Sequence, residues 1–199
     1  MGDTMAKIMK RAAVGFVFLT LLCVVLYIYI NNSLVFGLLI TFATTAYHFV
    51  MRLLVGFAFD RLMPNPEYRE CGWFRVGARE QRFYERLNVK RWKGHIPTYD
   101  PTEFDSGLHS WEEILGAMCR AELVHETIMV LSFVPILAAV PFGALGVFVI
   151  TSILAACLDG IFVVVQRYNR PRIIRLMEMT DRRNAKKSFL GNAYEKMQE

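Results

Sequence analysis

The chain has 199 residues, 54% of them hydrophobic, and carries 23 Lys and Arg against 18 Asp and Glu for a net charge of +5. Soluble domains average roughly 45–50% apolar residues, and the excess here lies in two blocks, one near the N-terminus and one over residues 123–165. This excludes an ordinary soluble domain. Because the basic residues flank the apolar blocks, they point to membrane orientation and anionic lipid, and nucleic acid is not an expected partner.

Lys7, Lys10 and Arg11 precede an apolar run over residues 12–30. A run of about 20 apolar residues crosses a bilayer. No small-residue cleavage site follows it, so a retained helix is expected rather than a signal peptide. Asn31-Asn32-Ser33 is a compact turn signal, with Ser33 the expected N-cap of the next helix. The second span, residues 34–59, contains Thr41, Thr44, Thr45, His48 and Arg52.

Residues 60–111 are too polar to span. Met63-Pro64-Asn65-Pro66 opens this segment. Residues 79–89 predict an amphipathic surface helix with Phe83, Tyr84 and Leu87 on one side. Arg91-Trp92-Lys93 predicts an interfacial aromatic anchor, and Ile96-Pro97 an extended stretch. Ser110 followed by Glu113 is a capping box, which starts the third helix near Trp111. The third span covers residues 112–140 and the fourth residues 142–166, with Pro141 and Gly143 marking the turn between them. A basic tail over residues 173–199 is expected as a surface helix or a loosely ordered segment.

The Lys- and Arg-rich parts are the N-terminus, residues 60–120 and everything after Gln166, whereas the turns at Asn31–Ser33 and Pro141 carry no charge. The positive-inside rule then puts both termini and the middle segment in the cytoplasm. The expected fold is all-α: a single polytopic domain in the plasma membrane, with four transmembrane helices as two hairpins and a cytoplasmic amphipathic or extended segment between them. Cys23, Cys71, Cys119 and Cys157 form no C-x-x-C, so neither a disulfide framework nor a zinc site is expected.

Ionisable residues inside spans are costly and face protein or water. At 1.5 Å per residue, His48 and Arg52 lie about 16 and about 10 Å from the cytoplasmic end of the second span, and Asp159 about 10 Å from that of the fourth. All the polar groups therefore occupy one half of the bilayer. A channel or transporter needs them along the whole path, so a pocket open to the cytoplasm with an apolar chamber beyond it is expected. Glu122, His125 and Glu126 share one face of the third helix. A carboxylate one turn from a histidine fixes its tautomer and raises its basicity, so Glu122 and His125 are the candidate catalytic pair. Glu122 also has the reach to act as an ion-pair residue with Arg52 or Arg167. Glu126 reads as an interfacial charge, and His48 as either a packing or a site residue. Asp159 is expected to neutralise Arg52 or an arginine of residues 166–172. One Glu-x-x-His pair with His48 is too little for a metal site, so no metal is expected.

Three blocks, "RAELVH" (Arg120–His125), "VVVQRYNRPRI" (Val163–Ile173) and "VKRWKGHIP" (Val89–Pro97), resemble the glycosyl-4,4'-diaponeurosporenoate acyltransferase family over roughly residues 83–183. The resemblance implies transfer of a fatty acyl group to a sugar hydroxyl of a lipid-linked acceptor. It implies membrane lipids, an amphiphilic acceptor and an activated donor such as acyl-CoA as partners, with no cofactor. In this reading His125, held by Glu122, is the base. Arg167, Arg170 and Arg172 bind donor phosphates or lipid headgroups, and Tyr168 or Asn169 donates to the oxyanion. Gln166, Trp92, Lys93, His48, Arg52 and Asp159 complete the substrate-binding set. Pro171 is expected to break or kink the fourth span. The alternatives are another membrane lipid-modifying enzyme, such as a methyltransferase, and a non-enzymatic lipid-binding protein.

Overall fold

The computed structural model describes residues 5–63, 71–96 and 101–195. The described residues are helical where they are regular, with no strand among them. Four segments are long and apolar enough to cross a membrane: Met5–Ile30, Ser33–Leu62, Trp111–Phe142 and Leu145–Lys186. Their outward faces carry Val14, Ile28, Leu54, Val130, Leu137 and Val140, all more than half exposed. Continuous apolar surface on this scale is unfavourable in water and fits lipid.

Helices α1 (Met5–Ile30) and α2 (Ser33–Leu62) pack along each other, with the Phe16 ring stacked on Phe49 and Tyr27 against Phe36. The chain turns between them at Asn31, which takes φ 44°. The N-cap of α2 is Asn32 rather than Ser33: its side chain accepts from the Leu34 amide at 2.7 Å. Asn competes at least as well as Ser for this role, because its carbonyl oxygen reaches the same free N–H groups.

The middle segment begins with a turn of 3-10 helix at Gly72–Phe74 and continues as α3 (Ala78–Arg86) and α4 (Val89–Trp92). Helix α3 ends at Arg86 with Leu87 as its C-cap, and the next residue, Asn88, adopts the left-handed conformation at φ 54° that asparagine tolerates. Phe83, Tyr84 and Leu87 lie on one side of the helix, but only Tyr84 is buried against the rest of the protein, while Phe83 and Leu87 are exposed. Residues 64–66 and 97, singled out above, lie outside the described residues.

Helix α5 (Trp111–Leu131) starts at the expected capping box, in which the Ser110 hydroxyl accepts from the Glu113 amide and the Glu113 carboxylate from the Ser110 amide. It stops ten residues short of the turn at Pro141. Pro135 has no N–H to give the Leu131 carbonyl, and its ring crowds that carbonyl. The chain continues as 3-10 helix over Val134–Ala138 and as the short α6 (Ala139–Phe142). The Tyr47 hydroxyl of α2 donates to the orphaned Leu131 carbonyl at 2.9 Å. Gly143 and Ala144 then turn the chain with positive φ.

Helix α7 spans Leu145–Glu195 and continues through Pro171. The expected break is absent, and the basic tail up to Glu195 is continuous with the fourth span. Pro171 removes only the bond to the Arg167 carbonyl. Arg167 and Arg170, on either side of that missing bond, are both pinned to Glu122 and hold the turn in place.

Helix α5 packs along α7, and α2 contacts both. Met51 and Val55 of α2 meet Ile128 of α5, with Tyr47, Phe59, Val124 and Leu131 around them. Inside the helices the hydroxyls of Thr20, Thr41, Thr44, Thr45, Ser132 and Thr151 donate to the carbonyl four residues back. That bond suits a hydroxyl on a helix apolar enough to cross a membrane, where water would not be available to it.

Candidate active site

His125 of α5 does not pair with Glu122, as its spacing suggested. Its Nδ1 lies 2.9 Å from Oδ1 of Asp159 on α7. The imidazole stacks on Phe162, one turn further along α7, with centroids 4.6 Å apart and planes 7° from parallel. The other oxygen of Asp159 receives Nη2 of Arg52 from α2. Arg52 is held in turn by the carbonyls of His48, at 3.1 Å, and Ala155, at 3.3 Å. Asp159 is almost fully buried, while the His125 side chain keeps 23% of its surface open. Three helices thus build one Arg–Asp–His chain. An ionised carboxylate only accepts, so Nδ1 carries the proton. Nε2, with no partner among the described residues, is left as the basic nitrogen.

Glu122 is consumed elsewhere. It is wholly buried and accepts from Nη1 of Arg167 at 2.6 Å and from Nη2 of Arg170. Two guanidiniums outcompete a neutral imidazole for one buried carboxylate, which is why the Glu122–His125 pair does not form. Arg167 also forks onto Glu80 of α3, with Nη2 to Oε2 at 3.1 Å, and reaches the Trp73 carbonyl. Arg170 donates to the Phe74 carbonyl at 2.9 Å and lies over the Phe74 ring. Both arginines are therefore occupied by protein: they fasten the 3-10 turn at Gly72–Phe74 and α3 onto the middle of α5 and α7. Arg167 holds the Glu80 carboxyl below the ordinary carboxylate range, and burial together with Glu80 raises the Tyr84 hydroxyl. Tyr84 donates to Glu80 and completes the clamp.

The remaining candidates fall in three places. Glu126 accepts from the Trp73 indole at 3.0 Å, beside His125 at the rim of the clamp. His48, buried against the Tyr47 ring, has both ring nitrogens without a partner among the described residues, as does the buried hydroxyl of Ser152 on α7. Lys93 donates to Asn169 and lies over the Tyr168 ring, while the Trp92 indole makes a local bond to the Leu87 carbonyl. Arg172 is exposed and Gln166 half-buried on α7. Sequence reasoning missed Glu80, Phe162, Tyr84 and Ser152. Glu80 and Tyr84 had a readable signal, one turn apart on a helix in a segment otherwise rich in arginine. No group of three or more His, Cys, Asp and Glu among the described residues is arranged to hold a metal ion.

The fold and site define a helical protein with four helices of membrane-spanning character and a carboxylate-oriented histidine at the junction of three of them. The profile of the glycosyl-4,4'-diaponeurosporenoate acyltransferase family matches residues 64–179, more than half of the chain, and the chain belongs to that family. It is an acyltransferase by family, which sets aside the methyltransferase and non-enzymatic alternatives. No curated protein sequence and no solved structure matches it. The match covers His125, Asp159 and the Glu122 clamp. It begins after α2, so Arg52 and His48 contribute from outside it.

Proposed function

We propose that the protein transfers a fatty acyl group from a thioester donor such as acyl-CoA to a sugar hydroxyl of a glycosylated isoprenoid or similar lipid. The proposed setting is the cytoplasmic side of the plasma membrane. The four spans act as two hairpins, with both termini and the segment between the hairpins in the cytoplasm. The observation that carries this reading is the Arg52–Asp159–His125 chain.

Nε2 of His125 takes the proton of the acceptor hydroxyl as its oxygen attacks the thioester carbon. The tetrahedral intermediate collapses with cleavage of the C–S bond, and the imidazolium returns the proton to the leaving thiolate. Asp159 holds the productive tautomer and offsets the positive charge that develops on the ring. The Arg52 guanidinium pairs with the Asp159 carboxylate, so that neither is a lone charge in a site of low polarity. Phe162 fixes the ring plane. His48 and Ser152 are buried polar groups free to meet polar atoms of the acceptor on the apolar side of Arg52.

The test is His125→Ala in membranes supplied with labelled acyl-CoA and a glycosylated isoprenoid. Transfer falls on the order of 10²–10⁴-fold, while thermal melting in detergent stays near that of the unaltered protein. Unchanged transfer overturns the assignment.

A further inference from the structure

The cations near the end of the apolar part of α7 divide into two groups. At about 100° per residue, Arg167 and Arg170 project from one side of α7, and Asp159 falls on that side too. Tyr168, Asn169 and Arg172 project from the opposite side. The first group is spent on Glu122 and Glu80. The second group is not. Lys93 reaches it from the turn after α4, donating to Asn169 with its ammonium 5.1 Å from the centre of the Tyr168 ring.

We propose that Lys90, Lys93, Asn169 and Arg172 hold the phosphate of an anionic membrane lipid, on the flank of α7 away from His125. Three observations support it. First, none of the three cations pairs with a carboxylate among the described residues, although Arg167 and Arg170 on the opposite side both do. Second, the platform is fixed: Val89 is fully buried and docks α4, which carries Lys90 and leads into Lys93. With its oxygen taken by Lys93, Asn169 has its amide N–H groups left to donate. Third, the position suits a headgroup. The apolar run of α7 ends at Val165, and Tyr168 and Trp92 flank the cations as aromatic residues do at a membrane–water interface. Burial, with Arg172 and Lys90 nearby, lowers the Lys93 ammonium pKa. A bound phosphate relieves that repulsion. Basic pockets at the ends of membrane helices recognise anionic headgroups in this way.

The phosphates of a nucleotide-bearing acyl donor share this chemistry. The location argues for lipid: the cluster is about 14 Å or more along α7 from Asp159 and on its opposite side. This inference therefore does not rest on the catalytic reading.

The experiment compares the full chain with Lys90→Gln/Lys93→Gln/Arg172→Gln. Native mass spectrometry counts phosphatidylglycerol retained after mixing with micelles containing phosphatidylglycerol and phosphatidylcholine. The triple variant is expected to lose one retained phosphatidylglycerol, its affinity falling on the order of 100-fold. Arg182→Gln/Arg183→Gln, which removes exposed charge further along α7, retains it. Arg172→Gln alone alters only an exposed side chain, and its intermediate loss guards against misfolding of the triple variant. Equal retention by all variants overturns the site, as does equal loss in the Arg182/Arg183 control. Unchanged retention with a raised KM for acyl-CoA assigns the cluster to the donor and overturns the lipid assignment.

Discussion

Asp159 joins two helices through one carboxylate: Oδ1 meets Nδ1 of His125 at 2.9 Å, and Oδ2 receives the guanidinium of Arg52. The histidine is oriented by a carboxylate that also holds a guanidinium from a third helix. Asp159→Asn keeps the shape but removes the charge, and its amide can present N–H to the ring and favour the other tautomer. Acyl transfer is expected to fall on the order of 10²–10⁴-fold, with the KM for acyl-CoA nearly constant. Steady-state kinetics in reconstituted membranes measures both. Full activity in Asp159→Asn would remove the orienting role.

Glu122 has a different fate. Replacing it with leucine leaves Arg167 and Arg170 facing each other in a buried site. Unpairing a buried charge costs about 3–5 kcal/mol, so Glu122→Leu is expected to melt well below the unaltered protein in detergent. Its activity and its stability should fall together. A variant of normal stability with no activity would return Glu122 to a catalytic role.

The Tyr47 hydroxyl compensates for the helix break at Pro135. Tyr47→Phe leaves the Leu131 carbonyl without a donor, at a cost of about 1–3 kcal/mol. In Pro135→Ala that carbonyl regains a helical donor, so the loss from Tyr47→Phe should shrink in the double variant. Additive effects in the double-mutant cycle would count against the link.

Gly160 follows Asp159 directly. A Cβ there would meet the Met129 methyl at 3.5 Å, an ordinary contact. Gly160→Ala is therefore tolerated and gains helix propensity of up to about 1 kcal/mol. Gly160→Leu overfills the α5–α7 seam by about 1–3 kcal/mol and moves Asp159 from His125. Activity is kept in the first and lost in the second.

The Glu80 carboxyl is held below its ordinary 4.5, chiefly by its hydrogen bond to Arg167. A depressed carboxylate contributes stability that is present above the ordinary value and is lost as pH falls through the folded value. The clamp over α5 and α7 should thus hold at neutral pH and loosen under acid below about 4.5. Glu80→Gln should flatten that acid limb when melting is followed against pH. An unchanged limb would show that other carboxylates set it.

Part of the site was legible before any packing was known. Asp159 is the one aspartate within the apolar runs, so a partner in Arg52 or an arginine of residues 166–172 followed from the cost of leaving a charge alone in an apolar helix, and packing selected Arg52. Spacing misled at Glu122 and His125. Residues three apart on a helix are neighbours, but a side chain turns to the strongest partner within reach, and the two arginines of α7 were invisible to that spacing. The two prolines show the same limit. Pro135 ends α5 and Pro171 does not interrupt α7, although each removes one hydrogen bond. What differs is whether ion pairs hold the neighbouring turn.

Hydropathy, charge placement and capping residues, all local properties of the chain, determined the four helices long and apolar enough to cross a membrane, the capping box at Ser110 and the turn at Gly143. They depend on residues at most a few turns apart. The partner of each buried charge was decided by α2, α5 and α7 meeting, because electrostatic pairing in a largely buried site depends on distance in space and on competition among all the groups within reach. That competition assigns Glu122 to the arginines, leaves Asp159 to orient His125, and leaves Lys93 and Arg172 without a carboxylate among the described residues on the far side of α7.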